Sequence, residues 1–191
     1  MTNRITDALR RTYRDVRKNL PISYQEKASK QICSRIKKFH LYRHAKKIAL
    51  YQAVNGEINL SNLWQSAPLQ GKYCYFPALN EDLTLSFLPA KPTSPFIENR
   101  YGIKEPDITR DQAIPLEQLD IIFVPLVAVD PKGTRLGMGA GYYDRTLKNG
   151  PPPLLIGVAY EFQRLSFIMA REWDVPLNVV ITEDQIYWSE S

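Results

Sequence analysis

Apolar residues recur at helical spacing near the N-terminus and then give way to short β-branched runs, and this change of period organises the whole chain. Residues 4–19 set Ile5, Leu9, Tyr13 and Val16 on one face and Arg4, Arg10, Arg11, Arg14 and Arg17 around the rest, the pattern of an amphipathic helix. Pro21 stops it. Ser23-Tyr-Gln-Glu26 has the spacing of a capping box, which opens a second helix running to about residue 40 with Ala28, Ile32 and Ile36 as its apolar stripe. Further on, residues 47–53, 72–77, 83–88, 120–130, 154–159 and 175–181 read as strands, and 59–66 and 142–148 as helices. Such alternation predicts an α/β fold with a mostly parallel sheet flanked by helices. Residues 89–119 hold five prolines and little periodicity, so a long excursion over the sheet is expected there, of the kind that usually carries function.

Length and composition narrow the classes. The 191 residues, 44% of them hydrophobic, suit one well-buried core, so a single domain over 1–191 is expected. Cys33 and Cys74 lie far apart and form no paired motif, which points to neither a disulfide framework nor a zinc site and fits a reducing cytoplasm. The longest apolar run is the nine residues 121–129, interrupted by Pro125, and the N-terminus is charged without an apolar core; no membrane association is expected. Charge is uneven: residues 1–47 carry 14 of the 25 Lys and Arg but 3 of the 20 acids. A basic helix of this kind serves nucleic acid or an anionic small molecule. The absence of a recognition module or of aromatic-basic interleaving favours the small molecule. His40 and His44 are four residues apart, a chelating spacing on a helix, but their neighbours are cations, and solvated surface positions are expected. With no third histidine, a histidine base or triad has little support.

The most informative stretch follows the apolar run 120–130. It reads Arg135-Leu-Gly-Met-Gly-Ala-Gly-Tyr-Tyr-Asp-Arg145 and is preceded by Gly133. Glycines permit positive φ and close backbone approach, so that amides can face phosphate oxygens, while Arg135 and Arg145 add charged donors at the two ends. Strand, glycine loop and helix N-terminus is a common anion-binding order. The spacing matches neither a Walker A loop nor a dinucleotide fingerprint. Of the two arginines, Arg135 is expected to serve phosphate more directly, because an arginine within a helix often pairs with a neighbouring acid. Read from the residues alone, Asp144 simply complements the dipole of the following helix.

This string, after a strand ending Val-Pro-Leu-Val-Ala-Val-Asp130, resembles the signature of the 5-formyltetrahydrofolate cyclo-ligase family. The resemblance runs nearly end to end and includes the arginine-rich first helix, Gly56-Glu57 after a strand, Tyr101-Gly-Ile-Lys-Glu-Pro106 and Trp173-Asp-Val-Pro-Leu-Asn-Val-Val-Ile-Thr-Glu183. It implies a single-domain, Rossmann-like fold of the sugar-phosphate isomerase and CoA-transferase kind. It also implies closure of 5-formyltetrahydrofolate, with or without added glutamates, to 5,10-methenyltetrahydrofolate at the expense of ATP and with Mg²⁺. Residue by residue, it assigns nucleotide binding to Arg10, Arg14, Arg135, Leu136, Gly137, Met138, Gly139, Ala140, Gly141, Tyr142 and Tyr143. Gln52, Glu57, Tyr101 and residues Met138 to Tyr142 would meet the folate, with Glu57 on the pterin ring. Arg135, Arg145 and Tyr143 would act in catalysis, and Asp144 and Asp174 would hold the metal. The family usually has a cation four residues before Arg10, where this chain has Thr6; Arg4 or Arg14 would substitute. A cytoplasmic monomer that binds neither nucleic acid nor membrane is expected. Two other classes fit parts of the sequence: a sugar-phosphate isomerase or lactonase, which would need an acid/base pair that does not stand out, and a basic nucleic-acid binder, which would leave the glycine loop without purpose.

Overall fold

In a computed structural model that describes residues 2–148, 150–151 and 153–190, the chain folds around one seven-stranded sheet. Helices α1 (Thr2–Lys18), α2 (Ile22–Lys38) and α3 (His40–His44) lead into β1 (Lys47–Ala49), and α4 (Ser61–Ser66) precedes β2 (Tyr73–Leu79) and β3 (Leu85–Pro89). A hairpin, β4 (Phe96–Glu98) and β5 (Lys104–Pro106), is followed by β6 (Ile121–Pro125) and a second small hairpin, β7 (Ala128–Val129) and β8 (Arg135–Leu136). Then come α5 (Tyr142–Leu147), β9 (Leu154–Val158), β10 (Val179–Ile181) and β11 (Ile186–Trp188).

The sheet order is β11-β10-β9-β6-β1-β2-β3. Pairs within the run β10 to β2 are parallel and the two edge strands are antiparallel, which bears out the mostly parallel α/β reading. Both faces are covered. Along β6, Ile121 and Phe123 enter the core under α2 and α3, whereas Ile122 and Val124 enter the one under α5, as the two-residue period of a strand requires. From β1 the chain moves to one side for β2 and returns to the other for β6, β9 and β10, so the winding reverses between β1 and β6. Ligands of open α/β sheets bind outside the carboxyl ends of the strands at such a reversal.

Several expectations are corrected. Ser23 does not cap α2; the helix starts at Ile22, Pro21 holds the N-cap position, and no side-chain cap bond forms, because proline's fixed φ sets the entry two residues earlier. On α1, Ile5 and Val16 are exposed and Arg17 is buried, so the helix presents Leu9 and Tyr13 to its neighbours. The run 120–130 breaks after Pro125, and the excursion 89–119 contains the β4–β5 hairpin and two short 3-10 turns. The strand expected over 175–181 shortens to β10.

Candidate active site

The reversal between β1 and β6 opens into a cleft of about 1070 Å³. The segment after β1 supplies Tyr51, Gln52 and Glu57 to one wall, α1 supplies Thr6, Arg10 and Arg14, and residues 135–145 form the opposite wall. Asn99, Tyr101 and Ile103 at the tip of the β4–β5 hairpin, and Met169, Arg171, Trp173 and Asp174 before β10, complete it. Every site residue expected from the sequence therefore lines one cavity: Arg10, Arg14, Gln52, Glu57, Tyr101, Asp174 and the stretch Arg135 to Arg145.

The glycines do different work. Gly133 lies in the β7–β8 turn with φ +76, where a Cβ would stand 2.3 Å from the Leu177 carbonyl oxygen. It belongs to that turn and not to the cleft wall. Gly139 (φ +103) and Gly141 (φ +73) need the left-handed region, whereas Gly137 does not, and a Cβ on Gly137 would meet nothing within 4 Å. The loop is tied at both ends: Arg10 Nε donates to the Gly137 carbonyl at 3.0 Å, and Arg145 donates to that of Ala140 at 2.6 Å. α5 has six residues, so its dipole adds little beyond the loop's own amides.

Arg135 and Asp144, expected in separate roles, form an ion pair at 2.6 Å, with the Arg135 side chain 5% exposed. Arg135 also donates to the Val175 carbonyl, and the Val175 N–H reaches Asp144 Oδ1 at 3.2 Å. The acid partner anticipated for the helical arginine thus falls to Arg135, whose ion pair ties β8 to the first turn of α5. Asp174 accepts the Arg171 N–H at 2.9 Å within its own turn. Among the described residues, no group of three or more His, Cys, Asp or Glu could hold a metal by itself. Asp144 and Asp174 both line the cleft, and a hard cation held by one or two carboxylates draws its remaining ligands from phosphates and water.

On the facing wall, Asn55 (φ 51) and Gly56 (φ 74) form a tight turn, and Asn-Gly is the preferred pair for two successive positive φ values. Glu57 follows, its side chain 7% exposed and paired with Arg17 at 3.2 Å. Burial pushes the Glu57 carboxyl above its ordinary value, against the pull of Arg17 and of a hydrogen bond from Val54. Tyr51 lines the cleft, but its hydroxyl is spent on the Ile58 carbonyl at 2.7 Å. Burial, with the Glu57 charge adding to it, holds the Tyr143 phenol well above its ordinary value, so it is neutral at physiological pH. Burial also works upward on Tyr142, yet hydrogen bonds with Tyr101 and Arg100 and the charges of Arg100 and Arg145 outweigh it and bring that phenol down. Arg100 donates to the Tyr142 hydroxyl and lies over the Tyr101 ring, 5.2 Å from its centroid. The hairpin tip is thereby joined to the glycine loop.

Sequence reasoning passed over Arg17, Arg100, Arg171 and Trp173. Only Trp173 carried a usable signal, as the tryptophan beside Asp174 in the family segment; it stays 51% exposed, with the Arg171 guanidinium 5.6 Å from its ring centroid. His40 and His44 are exposed, as expected.

A cleft at the reversal of a parallel sheet, walled by a glycine loop, five arginines and a buried carboxylate, defines an enzyme for an anionic small molecule. The profile of the 5-formyltetrahydrofolate cyclo-ligase family matches residues 3–183, and the chain belongs to that family. It is 40% identical over 173 residues to the 5-formyltetrahydrofolate cyclo-ligase of Haemophilus influenzae, covering 88% of this chain and 92% of the relative. The Escherichia coli K12 cyclo-ligase is 33% identical over 178 residues, covering 91% and 98%. Among solved structures, the 5,10-methenyltetrahydrofolate synthetase of Aquifex aeolicus superposes with a TM-score of 0.86 at 32% identity, over 98% of this chain and 94% of that one. Family membership favours a ligase over the isomerase and nucleic-acid readings.

Proposed function

We propose that this chain closes 5-formyltetrahydrofolate to 5,10-methenyltetrahydrofolate, with ATP converted to ADP and phosphate. The observation that carries this reading is the pairing, across one cleft, of a loop suited to polyphosphate with a buried carboxylate suited to the amino-pyrimidine edge of a pterin. The formyl carbonyl is an amide and a poor electrophile. Transfer of the γ-phosphoryl group to its oxygen turns that oxygen into a leaving group; N10 then attacks the same carbon, the C–O bond breaks, phosphate departs with the former formyl oxygen, and N10 gives up its proton. Positioning and charge neutralisation dominate such a reaction. A nucleophilic side chain is not required, in keeping with a chain that has two histidines, both exposed.

In this reading Arg10, Arg14 and residues 135–143 take the nucleotide, and Arg135 and Arg145 meet charge that builds on the transferred group. Tyr143, as a neutral phenol, donates a hydrogen bond without competing for the cation. Gln52, Glu57 and Tyr101 take the pterin, with Met138 to Tyr142 contributing to both ligands. Asp144 and Asp174 would hold Mg²⁺, which would supply charge neutralisation for the phosphates. No helix among the described residues is long and apolar enough to cross a membrane, and we place the protein in the cytoplasm as a monomer. The test is oxygen bookkeeping. With ¹⁸O in the formyl group, the released phosphate should carry one ¹⁸O by mass spectrometry, and unlabelled phosphate beside methenyl product would refute transfer to the formyl oxygen.

A further inference from the structure

Among the α1 arginines, Arg17 is the one the fold buries, at 1% exposed. Its three guanidinium nitrogens all donate: Nε to the Asn55 carbonyl at 3.1 Å, one terminal nitrogen to that of Leu126 at 2.8 Å and the other to Glu57 Oε1 at 3.2 Å. The second oxygen of Glu57 accepts the Val54 N–H at 3.1 Å, so both carboxylate oxygens are held. The turn itself is pressed against the same residue, since a Cβ on Gly56 would lie 2.6 Å from the Arg17 carbonyl oxygen. Neutral donors would satisfy two peptide carbonyls as well. A buried cation is expensive unless paired, and what it pairs with here is Glu57, the acid on the folate wall of the cleft among the described residues.

Resting on the cyclo-ligase reading, we propose that Arg17 is a positioning residue: it fixes the Glu57 carboxylate in the orientation in which it receives the amino-pyrimidine edge of the folate, without touching the folate itself. The groups facing Glu57 are Arg17 and Arg14 from α1, Tyr51 after β1, Tyr143 from α5 and Tyr160 after β9. Burial holds all three phenols above their ordinary value, so the charges that favour an ionised Glu57 come first from Arg17 and then from Arg14. Without Arg17, burial acts with less opposition, and Glu57 takes up a proton at a higher pH. A protonated carboxyl has a donor where the pterin needs an acceptor.

The test uses Arg17→Gln and Arg17→Lys, each alone and combined with Glu57→Gln. Arg17→Gln should raise the KM for 5-formyltetrahydrofolate roughly tenfold at neutral pH, the scale of one hydrogen bond to a charged group, with kcat at saturation and the KM for ATP within about twofold. Followed over an assay range of about pH 6 to 9, the defect should shrink toward the alkaline end, because rising pH favours the ionised carboxylate that Arg17 no longer stabilises. Arg17→Lys should recover much of it. In the Glu57→Gln background, Arg17→Gln should add no further loss of folate affinity. A folded Arg17→Gln protein with unchanged folate KM across that range would overturn the proposal, as would a pH-independent loss shared equally by kcat and both substrates. The two readings fail separately. If the wild-type protein bound no 5-formyltetrahydrofolate by calorimetry, the cyclo-ligase reading would fall. A Glu57 carboxyl titration, followed by ¹³C NMR, that does not move upward in Arg17→Gln would overturn the positioning role alone.

Discussion

Replacing Gly133 and Gly137 by alanine should have opposite consequences, although the two lie four residues apart in one glycine-rich stretch. At Gly133 the φ of +76 and a Cβ 2.3 Å from the Leu177 carbonyl oxygen act together. The left-handed region costs a non-glycine residue about 1–2 kcal/mol, and forcing atoms into a packed contact costs about 1–3 kcal/mol more. A total near 3 kcal/mol lowers Tm by about 6–12 °C in a chain of this size. At Gly137 φ is outside that region and the space is open, so alanine should leave Tm unchanged or raise it slightly, because a methyl group restricts the unfolded chain. The added methyl group stands in the cleft, however. If phosphates lie against this backbone, displacing one amide from a charged oxygen costs about 1.5–3 kcal/mol, which weakens ATP by roughly 10- to 100-fold. Scanning calorimetry supplies the stabilities and titration calorimetry the ATP affinities. A folded Gly137→Ala protein that binds ATP as tightly as wild type would refute the placement of nucleotide on this loop. Equal stabilities of the two variants would refute the division of labour between the glycines.

Arg135→Met removes a charged donor and strands Asp144, so kcat/KM should fall roughly 100- to 1000-fold, the scale of losing one preorganised donor at about 2.7–4 kcal/mol. The Mg²⁺ concentration for half activity should also shift; a fall in kcat/KM of less than about threefold would separate Arg135 from the chemistry. Glu161 is the clearest stability titration: burial works upward on it, but hydrogen bonds from Thr182, Arg164 and Tyr187 outweigh this and bring it below 4.5. Its contribution is therefore present above pH 4.5 and lost as pH falls through that value toward its folded pKa. The Tm gap between wild type and Glu161→Gln, measured down the acid limb, should narrow below that pH; a gap that stays constant would mean the hydrogen bonds do not depend on the charge.

How much was legible in the sequence follows from how each element is held. The long apolar runs of β6 and β9 are buried on both faces and announce themselves. β4, β5 and β11 have three residues each, too few for a period to show. The β4–β5 hairpin is instead organised by Asn99, whose side chain accepts the N–H groups of Tyr101 and Ile103 at 2.9 and 3.1 Å and donates to Glu105 at 2.7 Å. Such ties between residues a few positions apart leave no hydrophobic pattern. In the site, the residues carried by the family signature come together in one cleft, but their partners were not readable. An arginine on an amphipathic helix reads as solvated, and only the folded chain brings the Asn55 and Leu126 carbonyls to Arg17. The Arg135–Asp144 pair likewise forms only when the glycine loop brings β8 and the first turn of α5 together. Glycines look alike in a sequence, and Gly133 is separated from Gly137 by a contact with Leu177, more than forty positions away along the chain.

In the proposed reading, one cleft joins ATP hydrolysis to closure of the folate ring. The most direct measurement is a parallel assay of purified protein with ATP, Mg²⁺ and 5-formyltetrahydrofolate, following methenyl product by ultraviolet absorbance and ADP by chromatography. One ADP is expected for each methenyl group formed, neither product when ATP or folate is omitted, and loss of both when Mg²⁺ is chelated. Methenyl formation without ATP, or ADP release at the same rate without folate, would contradict it.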